Sequence, residues 1–513
     1  MLPFRRSIVG PFAAVLTVSW ASACRESGGP DRMPANVVPA ALVRVAEVGT
    51  ALTAPPTFVV RDASGEPIAG VAVSVAVGEG GGTLRNAPTR TLPGATPVGQ
   101  WTLGTSSGRN TLVISVGRLP PLILEVTATA GSPTAIRVAI GADQLALAGD
   151  ALATPIGVLV VDRYGNPVPD QVVNFEAITG GGTVAPSMAT TGRDGVAGGV
   201  RWRLGARTSM QTVRAAVAAI AVAIGARVRS DFVIELRFPG VAPSPEFQSA
   251  FLRAADRIRT AVVGDVPDVA VQSLNVSSCG GGAIAPLTET IDDVVIFASV
   301  VPIDGVGKVL ARAGPCFVRN TTLQSLVGTM QFDDADAQNL LDTGRFEAVV
   351  MHEMLHIVGI GSLWRLKSLV DSIGTQDPRY VGALGISRCA LIGFGAQCIT
   401  GVPVENTGGS GTAGVHWRES TFDRELMTGF AESTPDMPFS LLTIGALADY
   451  GYEVNEKGSD PFAFSTLLAG WRARSRDTAL PEAPWEEVLV PRFEVSPFGF
   501  VQPMRVAPFP ATK

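Results

Sequence analysis

Two histidines four residues apart with a glutamate after the first, His352-Glu353-Met354-Leu355-His356, are the residues here whose types and spacing most plainly suggest chemistry. On a helix, positions i and i+4 share a face one turn apart, so both imidazoles can reach one tetrahedral zinc ion. Glu353 then lies where its carboxylate reaches a water beside the metal more easily than the metal itself, as a general base does. A catalytic zinc needs a third protein ligand and an open position. The chain contains only three histidines, so His416, in GVHWRESTFDRELMTGF, is the one imidazole left for that place.

The elements that must position these groups follow from the flanking sequence. Apolar residues Phe346, Val349, Val350, Met354 and Ile357 continue through the stretch at helical spacing. Asp342 or Thr343 is suited to cap the helix, and Gly359 to end it in a left-handed turn that sends the chain back toward the site. Upstream, DFVIELRFPG reads as a strand, SPEFQSAFLRAADRIRTAVVG as an amphipathic helix entered at Ser244-Pro245, and DVVIFASVVPI as a second strand.

The motif and its surroundings resemble leishmanolysin-like metzincin metallopeptidases. The resemblance rests on HEMLHIVGIGSLW with Gly359, an H-W pair 60 residues after His356, ELMTGF, GTMQFDDAD and LLTIGALADYGYEVN. It covers ~290–460 well and 231–290 loosely. It implies one Zn2+ per chain on His352, His356 and His416, with Met427 in the Met-turn beneath the metal. It also implies hydrolysis of peptide bonds in proteins, with Glu353 taking a proton from water and returning it to the leaving amine. An edge strand is expected to pair with substrate backbone, DVVIFASV or GVGKVLARAG being the choices. Residues 365–415 match the variable insertion of such enzymes. No cysteine free to mask the metal precedes the domain apart from Cys24.

Before this region, Asp62, Gly65, Pro67 and Gly80-Gly81-Gly82 recur as Asp162, Gly165, Pro167 and Gly180-Gly181-Gly182, an offset of 100 residues. QWTLG recurs as RWRLG, and apolar residues alternate along each unit, as a half-buried strand requires. The two units resemble bacterial Ig-like domains of the invasin/intimin type, modules that act as stalks or adhesive surfaces. The expected architecture is multidomain, with two all-β Ig-like sandwiches followed by an α+β metzincin-type zinc peptidase domain. The divisions are a lipoprotein-type signal peptide (1–24), a linker (25–40), Ig-like domains (41–131 and 132–229), the peptidase domain (230–460) and an extended C-terminal tail (461–513).

Arg5 and Arg6, an apolar run from Ile8 to Trp20 and Ala21-Ser22-Ala23 before Cys24 form an export signal. It resembles that of bacterial lipoproteins, making Cys24 the candidate lipidation site, with plain cleavage after Ala23 as the alternative. The expected location is the bacterial cell envelope, lipid-anchored to a membrane, and otherwise periplasmic or secreted. Cys279, Cys316, Cys389 and Cys398 are an even set in an exported chain and permit three pairings. Cys279–Cys316 and Cys389–Cys398 are favoured, because each closes a local loop.

A net charge of −6 argues against nucleic acid as a main partner, and the membrane enters only through a lipid anchor. The expected partners are a protein or peptide substrate and a cell-surface or matrix ligand for the Ig-like domains. The alternative function is a surface adhesin or binding protein whose metallopeptidase-like domain is non-catalytic.

Overall fold

The computed structural model describes residues 32–280, 283–409, 411–430, 432, 434–465 and 486–504. The export signal and Cys24 lie outside the described residues. The chain divides into two compact units, residues 1–131 and 132–513. Among the described residues no helix is long and apolar enough to cross a membrane.

The 100-residue repeat is a repeat of turns and backbone contacts. In the D-x-x-G-x-P turns, Asp62 accepts the amides of Ser64 and Glu66, and Asp162 those of Tyr164 and Asn166. Gly65 and Gly165 take φ of +87° and +86°, the left-handed region that glycine enters without strain. The distant glycines recur for a second reason: a Cβ on Gly104 would lie 1.7 Å from the Gly80 carbonyl oxygen, and one on Gly205 2.0 Å from that of Gly180. Trp101 and Trp202, three residues before each, are fully buried. Both repeats fold as mainly antiparallel β-sheets around such cores, each with one parallel strand pair, the second as a four-stranded and a five-stranded sheet. The first repeat starts earlier than its periodicity indicates. Asn36–Ala41 pairs with Thr57–Arg61, so a strand occupies the end of the span expected to be linker.

The second repeat is hydrogen-bonded to the rest of its unit. Asp256 accepts the Thr208 hydroxyl and the Ser209 amide, the Asn455 side chain donates to the Ala148 carbonyl, and Lys457 meets Asp150.

The remaining part is built on a seven-stranded mixed sheet. Its strands are β1 (Ile234–Arg237), β2 (Val294–Val301), β3 (Ala311–Arg319), β4 (Ser325–Asp333), β5 (Glu486–Val488), β6 (Phe493–Val495) and β7 (Val501–Pro503). The order is β1-β2-β4-β3-β6-β7, with β5 also on β3. β3 runs antiparallel to β4 and parallel to both β5 and β6. The tail expected to be extended therefore supplies three strands of this sheet. Strand formation there follows from apolar residues at alternate positions: Val488 and Val495 are buried, and Phe493 stacks on Phe317 at 4.9 Å.

Helices α1 (Pro245–Arg259), α2 (Asp334–Asp342) and α3 (Phe346–Val358) pack with the sheet, with α4 (Leu441–Tyr450) downstream. α1 starts at Ser244-Pro245, as the sequence indicates, and sets Phe247 and Phe251 edge-on against Phe346. Asp342 and Thr343 do not begin α3; they end α2. Gly344, at φ +71°, breaks the two helices apart, and α3 opens at Phe346 with Arg345 in the cap position. Every residue of α3 from Val349 to Val358 is buried, which explains why its apolar positions run all round rather than along one stripe. Gly328 on β4 lets it settle onto the sheet, since a Cβ there would lie 2.3 Å from the Ile357 side chain. Disulfides join Cys279 to Cys316 and Cys389 to Cys398, with Cα separations of 5.6 and 6.4 Å.

Candidate active site

His352 and His356 project from α3, and His416 comes from the loop between the short strand Val402–Pro403 and the helical turn Glu419–Phe422. The three Nε2 atoms converge: His352 to His356 is 2.9 Å, His356 to His416 2.9 Å, and His352 to His416 3.2 Å. All three rings are fully buried. Each opposite nitrogen, Nδ1, meets a backbone carbonyl: Leu426 for His352 at 2.6 Å, Ile360 for His356 at 2.8 Å, and Thr412 for His416 at 2.9 Å. A carbonyl only accepts, so each Nδ1 carries the proton and each Nε2 presents a lone pair. Three lone pairs at this spacing repel unless a cation lies among them. Two zinc ligands at ~2.05 Å in a tetrahedral arrangement are ~3.3 Å apart, so the donors suit zinc in kind and roughly in spacing.

A fourth donor completes the group. Glu486, on β5, places one carboxylate oxygen 2.9 Å from Nε2 of His352 and 3.3 Å from that of His356, and the other against His416. The four donor atoms lie within 4.8 Å of one another. Nothing in the sequence points to Glu486: it is 70 residues past His416, in no recognisable motif, inside a stretch that reads as tail.

Glu353 is also fully buried, and neither of its carboxylate oxygens has a hydrogen-bond donor. Burial, and then the charge of the neighbouring Glu486, holds its carboxyl well above the usual carboxylate range. Burial lowers His356 to about 4, so that ring is neutral, the form a metal needs.

A helix end and one close approach bring His416 to α3. Gly359 ends the helix at φ +135°, and Gly361, at φ +72°, lies so near the Val415 carbonyl that a Cβ would be 1.9 Å from its oxygen. Of the two strand segments expected to offer an edge, DVVIFASV lies inside the sheet as β2, between β1 and β4. GVGKVLARAG supplies the start of β3, whose outer side pairs with β5.

Residues 255–460 match the family described as Leishmanolysin. A leishmanolysin homolog of Crithidia fasciculata is 28% identical over 166 residues, which is 31% of this chain and 24% of that protein. Residues 255–460 are leishmanolysin-like. That family is zinc-dependent, which agrees with the metal suited to the buried His-His-His-Glu group. The chain spans about a quarter of that relative. The Escherichia coli adhesin FdeC is 20% identical, covering 37% of this chain and 63% of its own, with a TM-score of 0.26. The Yersinia pseudotuberculosis adhesin InvE is 18% identical, covering 39% and 62%, with a TM-score of 0.20.

In the leishmanolysin-like region, Met427 is fully buried on the turn whose Leu426 carbonyl holds His352. Glu425 fixes that turn from inside, accepting the Met427 amide at 2.6 Å and the hydroxyls of Ser440 and Thr443 at 2.5 and 2.6 Å. The Trp417 indole donates to the same Thr443 hydroxyl, so His416 and Met427 share one hydrogen-bonded support from α4. In the insertion, Asp449 of α4 accepts the Leu384 and Gly385 amides and the Tyr380 hydroxyl.

Beside this support, Glu419 clusters with Asp423 and Glu432, and one of its oxygens has no partner. Burial, then the Glu432 charge, pushes its carboxyl up to about 8 from 4.5. The folded state thus holds this proton more tightly than the unfolded chain. Its stabilisation is complete below pH ~4.5 and is lost as pH rises toward 8, by on the order of 3 kcal/mol. Glu419→Gln should raise the melting temperature at pH 8 by several degrees and leave it nearly unchanged at pH 4 in a calorimetric pH series. A wild-type-like fall in stability with pH in the variant would refute the assignment.

Proposed function

We propose that this chain is an exported zinc-dependent endopeptidase of metzincin type, hydrolysing peptide bonds in proteins, with two N-terminal Ig-like modules and a lipid anchor at Cys24. The observation that carries the catalytic part is the convergence of three Nε2 lone pairs, each ring fixed by a carbonyl at Nδ1, beside a buried carboxylate that has no donor. His352, His356 and His416 hold one zinc ion, which when bound supplies Lewis-acid polarisation of the scissile carbonyl and lowers the pKa of water toward ~7. The Leu426, Ile360 and Thr412 carbonyls keep the rings in one tautomer and orientation, as outer partners of metal ligands do. Glu353 takes the proton from the attacking water and returns it to the leaving amine. Met427 and Glu425 support His352 from below.

A second reading has a specific observation behind it. Four protein donors around zinc are typical of structural sites, and Glu486 makes the fourth. In that reading the domain binds a partner without catalysis.

The two readings separate on the full-length protein. One zinc per chain by elemental analysis is expected, with cleavage of unfolded casein or of peptides from a library, abolished by a chelator and restored by zinc. A zinc-loaded chain that leaves every peptide intact, both as wild type and as Glu486→Gln, would establish the non-catalytic reading.

A further inference from the structure

We propose that the segment from Glu486 to Pro503 is an autoinhibitory strap, which covers the β3 edge and fills the metal's fourth position with the Glu486 carboxylate. This rests on the peptidase reading above, in which that position belongs to water and substrate. An open fourth position separates a catalytic zinc site from a structural one. Glu486 is 1% exposed and its carboxylate contacts all three imidazoles, so neither water nor a substrate carbonyl can take that position while it is in place.

The backbone closes the groove by the same means a substrate would use to enter it. Extended peptides bind exposed sheet edges by adding a strand, through the free N–H and C=O groups of that edge. In β3 those groups are already taken. Ala311, Arg312 and Ala313 are paired with Glu486, Glu487 and Val488, and the Leu489 amide donates to the Ala313 carbonyl at 2.7 Å. A substrate strand and the strap therefore exclude one another. The strap is parallel to β3 and presents a side-chain carboxylate, not a peptide carbonyl, to the histidines.

Beyond the site the segment is held firmly. The Arg492 amide donates to the Cys316 carbonyl and its guanidinium to that of Ser278. Phe493 stacks on Phe317, and Val495 is fully buried in the core around the Cys279–Cys316 bond. On the opposite side Gly411 lies so near that a Cβ would be 2.8 Å from the Glu486 carbonyl oxygen. A purely structural zinc would account for Glu486 but leave Glu353 unexplained, since burying a carboxylate without donors costs stability. A strap over a working site accounts for both.

The test compares full-length wild type, Glu486→Gln and Phe493→Ala; the last loosens the strap far from the metal ligands. Amide hydrogen exchange of residues 486–489 is measured with and without zinc, and hydrolysis of a fluorogenic peptide library alongside. Zinc should slow exchange of 486–489 in wild type but not in Glu486→Gln. Both variants should cleave at least ~10-fold faster than wild type, because turnover follows the open fraction. Equal, measurable hydrolysis by all three proteins overturns the strap, as does exchange of 486–489 that ignores zinc in wild type. Zinc-dependent protection with no hydrolysis by any of them overturns the peptidase reading and the strap with it, and leaves Glu486 as a structural ligand.

Discussion

Glu353→Gln is expected to lower kcat/KM for peptide hydrolysis by about 10²- to 10⁴-fold while the protein keeps its zinc and its fold. The substitution retains the shape of the side chain and removes only its capacity to take a proton. Zinc content should be unchanged, because the Nε2 atoms of His352, His356 and His416 point at the metal position and Glu353 holds none of the rings. Stability should be equal or higher, since Glu353 is buried without a donor and feels the neighbouring Glu486 charge. The measurement is elemental zinc, thermal unfolding and kcat/KM, made on the wild-type sequence and repeated with Glu486→Gln. A variant that keeps its zinc and cleaves at the wild-type rate would remove Glu353 from the mechanism.

Gly361→Ala should destabilise the protein by on the order of 3 kcal/mol and weaken zinc binding by about 10- to 100-fold. Alanine at φ +72° is strained by itself, and its methyl group would overlap the Val415 carbonyl, 1.9 Å away. Relief requires the chain at Val415 to move, and His416 is the next residue. The damage is thus directed at the third imidazole while α3, with His352 and His356, stays where the sheet holds it. Urea unfolding gives the stability change, and competition with a chromogenic chelator gives the zinc affinity. Wild-type zinc affinity in a destabilised variant would mean that His416 is positioned independently of this contact.

How much of the fold and the site is legible in the sequence depends on the distance over which each part is determined. His352, Glu353 and His356 are visible because helical periodicity alone puts them on one face. His416 is visible only because the chain has no other histidine to offer. Gly361 is not, since its role comes from a contact with a residue 54 positions later, and an isolated glycine carries no mark of what approaches it. Glu486 is the extreme case: a glutamate in a Pro- and Arg-rich stretch reads as solvated surface, and only sheet pairing with β3 brings it to the histidines. The repeats show the converse. Their periodic glycines and tryptophans mark the turns and cores of each sandwich, but the strand Asn36–Ala41 lies outside the repeated pattern and so reads as linker. The end of α2 at Thr343 passes for the start of α3 because capping residues suit either role, and it is Gly344 that turns the chain between them.

The hydrogen bonds that tie Thr208, Ser209, Ala148 and Asp150 to Asp256, Asn455 and Lys457 change what counts as the smallest portable part of the chain. A cut at residue 230, where the repeats end, would bare the Asn455 amide and leave Asp256 without the donors it holds. The evolutionary module and the cooperative unit thus have different edges. The second repeat behaves as a foundation of the leishmanolysin-like region, and an engineer moving that region to another protein should take the chain from residue 132 onward.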